Sequence, residues 1–231
     1  MTYLLQQTIL YTVPLMIVAL AGVFSERSGI INIALEGLMV IGAFIGVYFV
    51  RRIILLNAPL SFGQPLLLLG MLISIIGGCL FSLLLGFAAI KLKANQTIAG
   101  SALNLLAPAL VLFLILLITS QSVLNIDSRY SSNDYFMLNQ EDFGLGTKLE
   151  NPLGVIGNVL FNKTYITTWI CLALYIGLSI ILYKTKFGLR LRSCGENPQA
   201  ADSLGINVYK MRYAGVLISG GLAGLVVLFT L

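Results

Sequence analysis

Six stretches of this chain are almost free of charge and long enough to constrain everything else. Residues 4–24, 30–50, 65–90, 98–119, 165–183 and 213–231 form apolar runs of 19 to 26 residues each. About 20 helical residues cross the hydrocarbon core of a bilayer, and a backbone in lipid must satisfy its own hydrogen bonds. Ordinary soluble domains carry about 25% charged residues, and this chain carries 10%. Most of it therefore cannot face water. A transmembrane β-barrel would need shorter, alternating segments, which are not seen. The expected fold class is all-α: a polytopic transmembrane helical protein of about six spans, forming a single transmembrane domain over residues 1–231.

Charge orients the bundle. The first basic residue is Arg27, after the first run, so no basic region opens a cleavable signal peptide. Basic residues favour the inside face, which places the N-terminus outside and Arg27 inside. Alternation then puts Lys91, Lys93 and the 184–212 loop inside, the loop with a net charge of +4. The 120–164 loop falls outside with a net charge of −2, as do Arg51 and Arg52. Nine basic residues lie inside and five outside, so the net +5 reflects membrane topology and not nucleic-acid binding. The outside loop is too long for a simple connector. Its Tyr130, Tyr135, Phe136 and Phe143 suggest a cap or a docking surface.

Several chemistries are excluded. The chain has no His, which removes zincin motifs and His-based triads. Cys79, Cys171 and Cys194 are spaced neither for a disulfide framework nor for a metal site. No Gly-rich phosphate loop is present, so no cofactor is expected in this chain and ATP, if used, is bound by another. Nothing points to an enzyme.

Within the spans, Pro14 and Pro108 each remove a backbone donor, and Pro65 stands where the third run begins. Gly77, Gly78 and Gly86 in the third run, and Gly215, Gly220, Gly221 and Gly224 in the sixth, offer small faces for close helix contact.

Three polar-bearing blocks stand out. In "VFSERSGIINIALEG" (23–37), Glu36 lies six residues into the second run, with Asn32 four residues earlier on the same helical face. A charge at mid-membrane costs roughly 3 kcal/mol on insertion scales and normally faces a cavity or partner. The pair either lines a polar path or holds a broken helix together at a packing junction, unless the helix starts lower and Glu36 sits near the headgroups. In "ANQTIAGSALNLLA" (94–107), Asn95 can cap a helix. Asn104 aligns there with Gly100 and Ser101, either as glue between helices or as a contact for a neutral solute. In "GLRLRSCGENPQAADSLGINVYKMR" (188–212), Asn197 and Pro198 read as N-cap and first helical residue. Gly205 reads as the terminator of a helix over 198–204. Ala200 and Ala201 keep that helix slim, as suits a handle gripped by a partner's groove; an ordinary ordered loop is the plainer alternative.

These three blocks, 54 residues in all, resemble permease subunits of bacterial ABC importers for nucleosides and simple sugars. That family belongs to the larger group of ribose and branched-chain amino acid permeases. The resemblance implies a type II ABC importer permease fold in the bacterial inner membrane. It makes Gly195, Glu196, Asn197, Pro198, Ala200, Ala201 and Gly205 a cytoplasmic coupling segment that docks on a separate ABC ATPase. It makes Asn32, Glu36 and Asn104 the candidates for the translocation path of a small neutral solute. It also implies a second permease subunit and an extracytoplasmic substrate-binding protein or lipoprotein. Family members are longer and continue through further spans, whereas this chain stops at Leu231 within an apolar run, so it is expected to be truncated. Two rival readings follow: an ion-coupled carrier or channel that depends on Glu36, and a non-transporting scaffold.

Overall fold

The structure, a computed structural model, describes residues 2–55, 63–120 and 166–226. All regular structure among them is helical. In chain order the helices are α1 (Thr2–Arg27), α2 (Leu35–Leu55), α3 (Gly63–Gly86) and α4 (Gln96–Thr119). They are followed by α5 (Ile166–Lys184), α6 (Lys186–Glu196), α7 (Pro198–Ser203) and α8 (Val208–Val226). A π-helical turn, Phe87–Lys91, extends α3. But for Ser120, the 120–164 segment lies outside the described residues, as do residues 227–231.

The apolar runs become the helices, with two refinements. Four spans, Gln7–Arg27, Leu35–Leu55, Pro65–Lys91 and Gln96–Thr119, are long and apolar enough to cross a membrane among the described residues. A fifth arises if α5 and α6, bent 66° to one another, count as one broken span. Residues 213–226 of the sixth run lie in α8, whose first turns are polar, with Lys210 and Arg212. The 184–212 segment is mostly helical: it folds as α6, then α7, then the start of α8.

The core is built around α8. Its residues from Ser219 to Val226 are all buried, and its main neighbours are α3, α1 and α2. Lipid tails are as apolar as leucine, so burial adds little between helices in a bilayer, and close packing with buried hydrogen bonds must hold them. Both devices meet here. A Cβ at Gly42 of α2 would fall on the Gly224 backbone of α8, and one at Gly78 of α3 would fall on the Gly220 carbonyl. The Ser74 hydroxyl sits between the carbonyls of Gly224 (2.7 Å) and Gly42. Three helices thus approach to backbone contact at one level.

Candidate functional site

The second apolar run does not begin as helix. Between α1 and α2 the chain turns at Ser28 and Gly29 and stays non-helical until Leu35. Gly29 has φ +86°, a left-handed backbone that glycine adopts without cost. Irregular backbone among membrane helices is tolerated only where its polar groups are satisfied, and here they are. Ser25 Oγ donates to the Ile30 carbonyl (2.8 Å), and the Ile30 amide donates to the Ser25 carbonyl (3.2 Å). The Ile31 amide donates to Gln96 Oε1 of α4 (2.8 Å).

The two asparagines complete this junction. Asn32 Oδ1 accepts from the Ala34 amide (3.1 Å), while its Nδ2 donates to Ser219 Oγ of α8 (2.8 Å). Asn104 Oδ1 accepts from the Gly37 amide (2.8 Å), and its Nδ2 donates to the Ile33 carbonyl (2.8 Å). The Gly37 amide is one of the first-turn donors that a helix leaves without a partner. Asn104 therefore caps α2 from a different helix. The close approach this needs depends on Gly100, where a Cβ would stand 2.8 Å from Ile33 Cβ.

One expectation is corrected by this geometry. Asn32 and Glu36 do not share a helical face, because α2 starts only at Leu35 and the backbone before it turns. Asn32 is buried and engaged. Glu36 is exposed, in the first turn of α2, where a carboxylate is favoured by the helix dipole.

The third block reaches the same junction. A Cβ at Gly29 would lie 3.2 Å from Gly195 Cα on α6, and one at Gly195 would fall on the Arg27 carbonyl. On α8, a Cβ at Gly215 would lie 2.5 Å from Ser28 Cβ. The three blocks, far apart in the chain, thus converge on residues 25–37.

From Gly195 the chain enters an elbow. Asn197 ends α6 and caps α7, its Oδ1 accepting from the Ala200 amide (3.1 Å), with Pro198 at the first position. The helix closes as a Schellman motif. The Gly205 amide donates to the Asp202 carbonyl (2.9 Å), and the Ile206 amide donates to the Ala201 carbonyl (3.1 Å). Gly205 has φ +78°. Ala201 is buried against the body, whereas Glu196, Asn197, Ala200 and Gly205 are exposed, as is Leu204 at 79%. A capped helix with a small-residue face and one exposed leucine can seat in a partner's groove.

Sequence reasoning missed Gln96, Ser219 and the Gly29–Gly195 contact, all of which depend on partners far away in the chain. It also missed α6, whose glycines and basic residues look like a loop. Packing makes it a helix: Leu191 and Cys194 are buried, and Gly188 presses on the Leu182 carbonyl.

Comparison with known proteins gives one family. The family model described as "Branched-chain amino acid transport system / permease component" matches residues 4–230. The guanosine ABC transporter permease protein NupQ of Bacillus subtilis is 43% identical over 222 residues, covering 94% of this chain and 63% of that protein. The nucleoside ABC transporter permease protein NupC of Lactococcus lactis is 41% identical over 216 residues, with the same coverage of 94% and 63%. A putative glucose ABC transporter permease protein, TsgC13 of Haloferax volcanii, is 30% identical and covered to 60% of its length. The chain thus spans less than two thirds of these relatives. No solved structure matches it.

Proposed function

We propose, because the chain belongs to the branched-chain amino acid transport system / permease component family, that it is the membrane-spanning subunit of an ATP-driven importer for a nucleoside or a ribose-like sugar. Members of this family are integral membrane transport components and not enzymes. In this reading ATP is bound and hydrolysed on a separate ABC ATPase. A second permease chain and an extracytoplasmic binding protein or lipoprotein complete the assembly. A nucleoside is favoured by the names of NupQ and NupC. A neutral solute fits spans that carry few fixed charges.

The observation that carries the reading is the convergence of the three blocks. The α6–α7 elbow, inside in the expected topology, presents Glu196, Ala200 and Leu204 to a soluble partner. Behind it, Gly195 meets Gly29 with no side chain between them. Three residues on, Asn32 holds α8, and Asn104 holds the start of α2. A partner that displaced the elbow would therefore move the entry to α2 and, through it, α4 and α8. Interiors packed this closely shift as units and transmit strain. Asn32 and Asn104 act in this account as joints of the path's frame.

A carrier that depends on Glu36 finds less support, since that carboxylate is exposed at the start of α2 and not enclosed among helices. The readings separate in vesicles that hold the complete transporter. Glu196→Trp with Ala200→Trp should lower uptake of labelled nucleoside at least about tenfold and abolish co-purification of the ATPase, as bulk at a central docking contact does. A carrier would keep its uptake. A scaffold would show no uptake defect even when the chain is deleted.

A further inference from the structure

Beside α7, and partly lined by its Pro198, Gln199 and Asp202, lies a second feature. A cleft of about 470 Å³ opens between the π-helical turn, the connector to α4, α7 and the first turns of α8. Lys93 and Arg212 face it from separate elements, with Asp202 as its acid and Gln96, Gln199 and Tyr209 as further polar groups. Two cations and one carboxylate thus line the same cleft. Arg212 Nε is buried without a hydrogen-bond partner, and a buried guanidinium donor lacking an acceptor is costly.

A neighbouring cleft of about 340 Å³ makes the contrast. There Glu26 and Glu196 balance Arg27 and Arg192, and Arg192 lies over the Tyr183 ring at 5.4 Å. Arg192 Nε is buried without a hydrogen-bond partner, as Arg212 Nε is, so the two clefts differ in charge balance: this one is neutral within itself. Lys91, next to the first cleft, is likewise engaged, 5.6 Å from the centre of the Phe87 ring. In the first cleft, by contrast, Lys93 and Arg212 stand against the single carboxylate of Asp202.

We propose that this cleft binds a phosphate group, supplied by an anionic phospholipid of the adjoining leaflet. The apolar span of α3 runs to Lys91, so the cleft stands where a membrane's headgroups would lie. A phosphodiester offers acceptors for the Arg212 fork and a counter-charge for Lys93, and basic pockets between membrane helices take such headgroups. Ala89 and Ile90 give the cleft an apolar wall, and Phe87 and Leu92 beside it are exposed, as acyl chains require.

The test is native mass spectrometry of the full chain in detergent, titrated with phosphatidylglycerol and with phosphatidylcholine. Phosphatidylglycerol should be retained preferentially, and Lys93→Gln should weaken its retention about tenfold. Lys210→Gln, outside the cleft, should leave retention unchanged. Arg212 also packs near Gly29, so Lys93→Gln, with unaltered circular dichroism, carries the decision. A second arm adds inorganic phosphate alone. If it displaces the lipid with the same dependence on Lys93, the phosphate site stands and its source is soluble. Equal retention of both lipids overturns the proposal, as does retention indifferent to Lys93 and Arg212. So does a Lys93→Gln variant that loses only ATPase co-purification, since the cleft would then serve a protein surface. None of these results bears on whether the chain transports a nucleoside.

Discussion

Two regions of this bundle solve the same problem in opposite ways. Where α2, α3 and α8 cross, order comes mainly from glycines: Gly42, Gly78, Gly220 and Gly224 let backbones touch, with the Ser74 hydroxyl bonded to the carbonyls of Gly42 and Gly224. At the 25–37 junction, glycines again allow the approach, at Gly29, Gly100 and Gly195, but order comes mainly from side chains that replace a missing helix: Ser25, Asn32, Gln96 and Asn104 each satisfy backbone groups. The first solution resists change in volume, and the second resists loss of a polar atom. A region of the second kind can rearrange by exchanging hydrogen bonds. A region of the first kind can move only as a block. That difference suits a rigid body with a movable entrance.

Substitutions can break or sharpen this contrast. The largest effect is expected in the glycine crossing. Gly78→Leu would overlap the Gly220 carbonyl and should cost about 3 kcal/mol or more, as overpacking does, visible as loss of the monodisperse protein in detergent. Next comes Asn104→Leu, which keeps the volume but strands the Gly37 amide and Ile33 carbonyl. It should lower stability by about 2 kcal/mol, read as a fall in thermal midpoint. Asn197→Ala removes the cap of α7 alone and should cost about 1 kcal/mol. Its effect should appear as faster hydrogen exchange confined to residues 197–204. Smallest of all is Gly177→Ala on α5, where a Cβ would meet nothing within 4 Å. It should be neutral or stabilise by about 0.5 kcal/mol. If Gly177→Ala proved as harmful as Gly78→Leu, close contact would not be what the crossing glycines provide.

The two regions also differ in how far they could be read from the chain. Apolar length announced the helices, and local punctuation announced the caps. Asn95 accepts from the Thr97 amide, and the Asn197, Pro198 and Gly205 signals delimit α7 within a residue of expectation. Such signals act over two to five residues and need no knowledge of the fold. A broken helix at Asn32 was one of the readings, but the extent of the break was not legible, because "GIINIALEG" continues the apolar run without a proline. What breaks that helix is a set of partners 65, 67 and 187 residues away: Gln96, Asn104 and Ser219. For the same reason Asn32 and Glu36 looked like neighbours on one helical face. The blocks themselves were visible; their mutual contact was not.

On the proposed function, motion of the α6–α7 elbow enters the bundle through the Gly29–Gly195 contact. Its most direct test is Gly195→Ala in the complete transporter, with ATP hydrolysis and nucleoside uptake measured on the same vesicles. A methyl there would fall on the Arg27 carbonyl and force the two segments apart. The ATPase should still co-purify and hydrolyse ATP, while uptake falls about tenfold, a coupling loss of about 1.4 kcal/mol. Wild-type uptake by this variant would contradict it.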